Sequence, residues 1–158
     1  MLPDEVKQFI GKSTGVRIFE VERGAIRRFA DAVDDPNPLY RDDEYARNSR
    51  YGSIIAPPGF FGWPSRQPRG APLTSEFVAG LGEALANAGF PRVLDGGMEY
   101  EFFQPVRAGD ILAASTVVKD IIGREGRSGK MAFVIMETTY VNQNGDVVAK
   151  ARSTSIHR

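Results

Sequence analysis

The residues best equipped for chemistry crowd into one run, Phe29-Ala30-Asp31-Ala32-Val33-Asp34-Asp35-Pro36-Asn37-Pro38-Leu39-Tyr40-Arg41-Asp42. Within it, Asp35, Asn37 and Tyr40 offer a carboxylate, an amide and a phenol. Such a set presents polar groups that a chemical site needs, two of them ionisable, with the phenol able to donate a proton. Their ordinary pKa values, ~4 and ~10, leave the first a weak base and the second protonated at neutral pH. The two prolines lack N–H donors, and each pushes the residue before it out of the helical region. A helix must therefore end here in a rigid turn, and a rigid turn fixes side-chain directions. The same residues also have a plain structural use: Asp and Asn form turns through their own side chains, and Tyr packs as a pocket wall.

The elements around this turn can be read from periodicity. Residues 1–12 form a short helix ending at Gly11, with Val6, Phe9 and Ile10 on its apolar side. Val16, Ile18, Phe19 and Val21 mark a short strand from Gly15 to Glu22. Arg23-Gly24 opens a helix whose stripe of Ala25, Ile26, Phe29, Ala30 and Val33 recurs at helical spacing, and the Asp/Pro turn ends it. Asp42 or Asp43 caps one or two further helical turns up to Asn48. Tyr51 to Trp63 mixes glycine, proline and bulky apolar residues, and Pro64 to Pro72 reads as loop. Ser75 caps a helix from Glu76 to Ala88, ended by Gly89. The rest changes period: 92–106, 111–122, 131–142 and 147–156 are β-type runs, with Asn144-Gly145 as a hairpin turn and 123–130 as a looser one.

Composition narrows the functional classes. At 158 residues, 42% hydrophobic and 25% charged, the chain reads as one soluble globular domain over 1–158. Twenty basic and twenty acidic side chains cancel, which gives no attraction to nucleic acid or an anionic membrane. No apolar run reaches the ~20 residues that span a bilayer, and Met1 to Lys7 carries no secretory signal, so a cytoplasmic location is expected. The absence of cysteine removes disulfides and thiolate chemistry. The one histidine, His157, is next to last and reads as an incidental surface residue at a poorly ordered end. A catalytic histidine would have to come from a partner.

Strand, helices and then a meander of long strands point to an α+β fold. A curved antiparallel sheet wrapped around a helix, the hot-dog architecture, would cover its apolar face. Asp35-Pro36-Asn37-Pro38-Leu39-Tyr40 resembles the Asp-x-Asn-Pro-x-His motif of MaoC-like hydratases, with Tyr40 in the place of the catalytic histidine. Gly52-Ser53-Ile54-Ile55-Ala56-Pro57-Pro58 is similar to the segment leading into that family's central helix, and Pro105-Val106-Arg107-Ala108-Gly109-Asp110 to its Pro-Val-x-x-Gly-Asp turn. In order and separation the three segments span most of the chain. The nearest type is the N-terminal MaoC-like dehydratase domain, related to subunits of two-subunit (3R)-hydroxyacyl-thioester dehydratases.

That resemblance implies hydration of an enoyl thioester, or its reversal, without metal or cofactor. Acyl-CoA or acyl carrier protein would supply the substrate. The degenerate position of Tyr40 implies a subunit that encloses the acyl chain while a partner supplies the Asp/His pair. A stand-alone acyl-thioester-binding module and a self-sufficient hydratase using Asp35 with Tyr40 are the alternatives. Gly52, Ser53 and Gly59 are candidates for donors to the thioester oxygen at a helix start. Phe60, Phe61 and Trp63 are core or acyl-tunnel residues. Arg47, Arg50, Arg66 and Arg69, with no acidic residue between Tyr45 and Ser75, form a patch that suits coenzyme A phosphates or an acidic carrier, or is simply solvated surface. Long edge strands call for pairing, as a homodimer or as a heterodimer with a catalytic hot-dog subunit.

Overall fold

The structure is a computed structural model and describes residues 2–61, 76–126 and 129–158. The expected loop at Pro64 to Pro72, the cap at Ser75 and the side chains of Trp63, Arg66 and Arg69 lie outside the described residues. The elements follow in the order α1 (Asp4–Lys7), β1 (Ser13–Glu20), α2 (Arg23–Ala32), a 3₁₀ turn (Pro38–Tyr40), α3 (Asp43–Asn48), α4 (Glu76–Asn87), β2 (Val93–Phe102), β3 (Ile111–Gly126), β4 (Gly129–Val141) and β5 (Val147–His157). The strands make one antiparallel sheet in the order β1-β3-β4-β5-β2. No described helix is long and apolar enough to cross a membrane.

Local chemistry explains most boundaries. In α2, Ala25, Ile26 and Ala30 turn one buried stripe inward, as their spacing predicts. Val33, expected on that stripe, falls past the helix end and is 55% exposed, because the chain turns at Asp34 with φ +54°. Asp42 caps α3 by accepting the Tyr45 N–H at 3.0 Å. The loop from β4 to β5 is held by the Asn142 side chain, which accepts the N–H groups of Asn144 and Asp146, while Gly145 adopts φ +88°. β3 and β4 stay paired as far as Gly126 and Gly129, so the looser loop expected over 123–130 is mostly strand. β2 stops at Phe102, three residues before Pro105, which has no N–H to give a ladder.

The apolar face of the sheet is covered in two halves. Over one, Val6 of α1 and Leu81 and Leu85 of α4 pack against Val118, Ile121, Ala132 and Val134. Over the other, Ile26 and Ala30 of α2, Ala46 of α3, Tyr40 and the segment 54–61 pack against Leu112, Val148 and Ala149. The second half carries the Asp/Pro turn.

His157 corrects the expectation of a poorly ordered end. β5 runs through it, with Val93 of β2 on one side and Ala132 of β4 on the other. Its Nε2 lies 3.0 Å from Ser155 Oγ, and burial pulls its pKa below the usual 6.5. A neutral imidazole is therefore part of the folded strand. Its stabilising effect is complete above the unfolded value and is lost as pH falls through the lower folded one. Replacing His157 with Asn should reduce the drop in urea midpoint between about pH 7 and pH 5.

Leu85, fully buried in the first half, should cost about 2–5 kcal/mol when cut to Ala. Val16→Thr, at a position 67% exposed, should change stability by less than about 0.5 kcal/mol in the same denaturation assay.

Candidate functional site

The Asp/Pro turn is built from its own side chains. Asp35 Oδ1 accepts the Asn37 N–H at 3.0 Å, and Asn37 Oδ1 accepts the Leu39 N–H at 3.1 Å, capping the 3₁₀ turn. Arg41 braces it from outside, donating to the Asp35 carbonyl at 2.6 Å and pairing with Asp31 at 3.1 Å. Two of the three candidate catalytic residues are thus engaged in shaping backbone. Tyr40, 7% exposed, packs among the core side chains of the second half.

Beside Tyr40 lies a cavity of about 480 Å³. Asn37 and Tyr40 form its wall on the turn side, Phe60 and Phe61 another, and Phe102 and Gln104 a third. Phe61 anchors the aromatic wall, stacked on Tyr140 with ring centres 4.1 Å apart and on Phe102 at 6.1 Å. Arg50 lies at the cavity with its guanidinium over the Tyr51 ring and a hydrogen bond of 2.5 Å to the Tyr51 hydroxyl. A second hollow, about 550 Å³ between α1 and α4, is floored by Phe9 and flanked by Glu5 and Glu83, in the other half of the core and away from the turn.

Protonation follows from these surroundings. Burial pushes the Tyr40 phenol above its usual 10.0, and the Asp35 carboxylate adds to the shift. Asn37 pulls the other way by hydrogen bonding, and Tyr51 contributes a further small rise. At neutral pH Tyr40 is a neutral donor and not a base. Tyr140 is likewise raised, first by burial and then by Tyr100, against a lowering by Arg17.

The structure therefore brings together Asn37, Tyr40, Arg50, Phe60 and Phe61, five of the residues singled out from sequence. Asp35 stands behind the turn rather than on the cavity lining, although its charge reaches Tyr40. Arg47 sits on α3 away from the lining. Gly52 and Gly59 serve left-handed backbone, at φ +71° and +87°. Ser53 Oγ is buried with no hydrogen-bond partner among the described residues.

The expected helix start near these glycines is not found: among the described residues no helix begins between Gly52 and Phe61. Two prolines there leave the chain in turns and a bridge, and its donors at Ile55, Ala56 and Phe60 are taken by Leu39, Val106 and Pro57 carbonyls. A helix-terminus site for a thioester oxygen does not form in this stretch.

Tyr51, Phe102, Phe103 and Gln104 were missed by sequence reasoning. Phe102, Phe103 and Gln104 reach the cavity because Ile55 bridges Arg107, which folds 102–106 against 54–61 across some fifty residues of chain. The pairing signal was weak, since glycine and proline marked 51–63 as close-packed but 105–110 only as a break between strands.

Comparison with known proteins accords with this geometry. Residues 8–151 match the model of the "FAS1-like, dehydratase domain region" family. A UPF0336 protein of Saccharopolyspora erythraea is 32% identical over 153 residues, covering 96% of this chain and 90% of its own. A relative named as a probable enoyl-CoA hydratase alpha subunit, from Thermomonospora curvata, is 30% identical over 80% of this chain, but the match spans only 41% of its length. Among solved structures, the ChsH1-ChsH2 complex of Mycobacterium tuberculosis superposes with a TM-score of 0.78 at 20% identity, over 97% of this chain and 88% of that one. HadBC of the same organism, named as a 3R-hydroxyacyl-ACP dehydratase complex, gives 0.65 at 24% identity, over 94% and 96%. With the five-stranded antiparallel sheet and the match over residues 8–151, the chain belongs to the FAS1-like dehydratase region family, among the MaoC-like proteins of hot-dog fold.

Proposed function

We propose that this chain is the acyl-chain-enclosing subunit of a (3R)-hydroxyacyl-thioester dehydratase, or enoyl-CoA hydratase, and depends on an Asp/His-bearing hot-dog partner for turnover. The observation that carries the reading is Tyr40, a buried neutral phenol where the related motif has its base. Adding water to an enoyl thioester needs a base for the water, an acid for the α-carbon and donors for the thioester oxygen. A phenol raised above 10.0 keeps its proton at pH 7 and cannot serve as the base. The chain's one histidine does not replace it. Along β5, His157 is eight residues from Ala149, which packs in the Tyr40 cluster, a run of roughly 27 Å in a strand.

The chain's own contribution is then binding. Phe60, Phe61 and Phe102 give the apolar wall on which an acyl chain can lie, with Tyr40 and Asn37 as the polar side nearest the thioester. Arg50, at the cavity, would meet the phosphates of coenzyme A or the acidic surface of a carrier protein. The names of the Thermomonospora relative, as an alpha subunit, and of the HadBC complex support a two-subunit arrangement.

Crotonyl-CoA hydration, followed by loss of enoyl absorbance, should be at least about 100-fold slower for the chain alone than for the chain co-expressed with an Asp/His-bearing hot-dog. In the pair, Asp35→Asn here should change the rate by less than about threefold, whereas removal of the partner's histidine should abolish it. Activity of the chain alone, lost in Asp35→Asn, would make it a self-sufficient hydratase and overturn the subunit reading. Silence in both with thioester still bound, including longer acyl chains, would leave a binding module.

The raised phenols also set an alkaline limit. Tyr40 and Tyr140 hold their protons more tightly folded than unfolded, so their contribution is complete below pH 10.0 and is lost as pH climbs through the folded values. The thermal midpoint should hold up to about pH 9.5 and fall above it, and Tyr40→Phe should make that fall shallower.

A further inference from the structure

The cavity wall past Phe102, made by Phe103, Gln104, Pro105 and Val106, lies beyond the end of β2 and outside any strand. It hangs between two fixed points. At one end the Phe103 and Gln104 N–H groups both donate to the Val148 carbonyl, at 2.9 and 3.2 Å. At the other end the chain turns at 107–110, where Asp110 Oδ2 accepts the Arg107 N–H at 2.7 Å. That turn also reaches two distant segments. Gly109 donates to the Val21 carbonyl at 2.9 Å, and Ala108 to that of Ile54 at 3.1 Å.

Both fixed points meet the loop that joins β4 to β5. Val148 stands just past its far end, as the second residue of β5. Gln143 stands at its near end, and its amide bonds outside the loop. Nε2 donates to Asp110 Oδ1 at 3.0 Å, and Oε1 accepts the Ile111 N–H at 3.1 Å. The loop closes without that side chain. Asn142 accepts the Asn144 and Asp146 N–H groups through its side chain and exchanges backbone bonds with Asp146 and Gly145. Gln143 itself is exposed, so its two bonds compete with water and add little to overall stability. What they fix is the position of the turn against the loop.

We propose that Gln143 is a positioning residue for the cavity, which acts through Asp110 to hold the wall at 103–106. Its own side chain is not among the lining residues, so its effect on a ligand runs through that wall. The inference deepens the acyl-binding reading above and rests on it for what the cavity holds. Donor and acceptor roles make the pair testable. Asp110 accepts from both Arg107 and Gln143, while Gln143 donates to Asp110 and accepts from Ile111. Gln143→Glu sets a carboxylate against a carboxylate, and Asp110→Asn sets an NH₂ group against an NH₂ group. The double variant Asp110→Asn/Gln143→Glu restores every bond. Its amide oxygen at 110 accepts the Arg107 N–H, its NH₂ donates to the carboxylate at 143, and that carboxylate's second oxygen accepts the Ile111 N–H.

Amide hydrogen exchange of the folded chain, followed by NMR, reads the bracket directly. In either single variant the Phe103, Gln104, Arg107 and Ala108 amides should exchange at least about tenfold faster, with Val134 of β4 unchanged. The double variant should return to wild-type rates. The Kd for decanoyl-CoA, a saturated thioester that cannot be hydrated, should rise roughly threefold to tenfold in the single variants and recover in the double. Unchanged wall amides in both single variants would overturn the proposal, as would a double variant that restores nothing. Equal loosening of Val134 would make the pair a general stabiliser and overturn it too. So would faster wall exchange with unaltered decanoyl-CoA affinity. A wild type that binds no decanoyl-CoA would sink the acyl-binding reading, and the exchange rates alone would then decide whether Gln143 holds the wall.

Discussion

The cavity depends on a clamp of backbone hydrogen bonds. Residues 54–56 have little regular structure of their own, yet Ala56 donates to the Val106 carbonyl at 2.8 Å and Ala108 to that of Ile54 at 3.1 Å. On the other side, Ile55 donates to the Leu39 carbonyl at 3.3 Å. One short segment thus ties the Asp/Pro turn to the end of β2 and the start of β3. It does so with buried backbone groups that would be costly to leave unpaired. Phe60 and Phe61 follow the clamp directly, so the aromatic wall is placed by it. Without these bonds Tyr40 and Phe102 would have no reason to share a cavity.

The turn itself is held by the side chains that made it look chemical. Asp35 and Asn37 bond the N–H groups two residues ahead, at 3.0 and 3.1 Å, and Arg41 locks the Asp35 carbonyl. Those bonds hold the shape of the turn. The residue that differs, Tyr40, is the one whose protonation matters. Tyrosine extends the apolar wall and keeps a polar tip, but burial and the Asp35 charge move it further from the range of a useful base.

Much of the fold could be read directly from residue patterns. The α2 stripe, the Asp42 cap, the Asn144-Gly145 loop and the order of helices before meander are local signals, and each appears where the pattern places it. Of the site, the turn and the aromatic pair at 60–61 were legible because proline and bulky residues are conspicuous. What escaped depends on distant pairing: the Ile55–Arg107 bridge, and with it the arrival of Phe102 and Gln104 at the cavity. His157 misled for a related reason. Its place near the chain's last residue suggested fraying, whereas pairing on both sides by β2 and β4 holds it.

Strand order has a consequence for how the molecule comes into being. β3, β4 and β5 are neighbours in sequence and in the sheet, so their hairpins can close early through short loops. β1 must find β3 across most of an unfolded chain, Phe19 pairing with Leu112, and the helical half has no sheet to cover until those strands exist. A ribosome releases this half first. Ile26, Ala30, Tyr40 and Phe60 therefore wait in water during synthesis for Leu112, Val148 and Ala149, which emerge in the last third. The chain is most prone to misassociation during that interval, before its final strand joins β4 to β2.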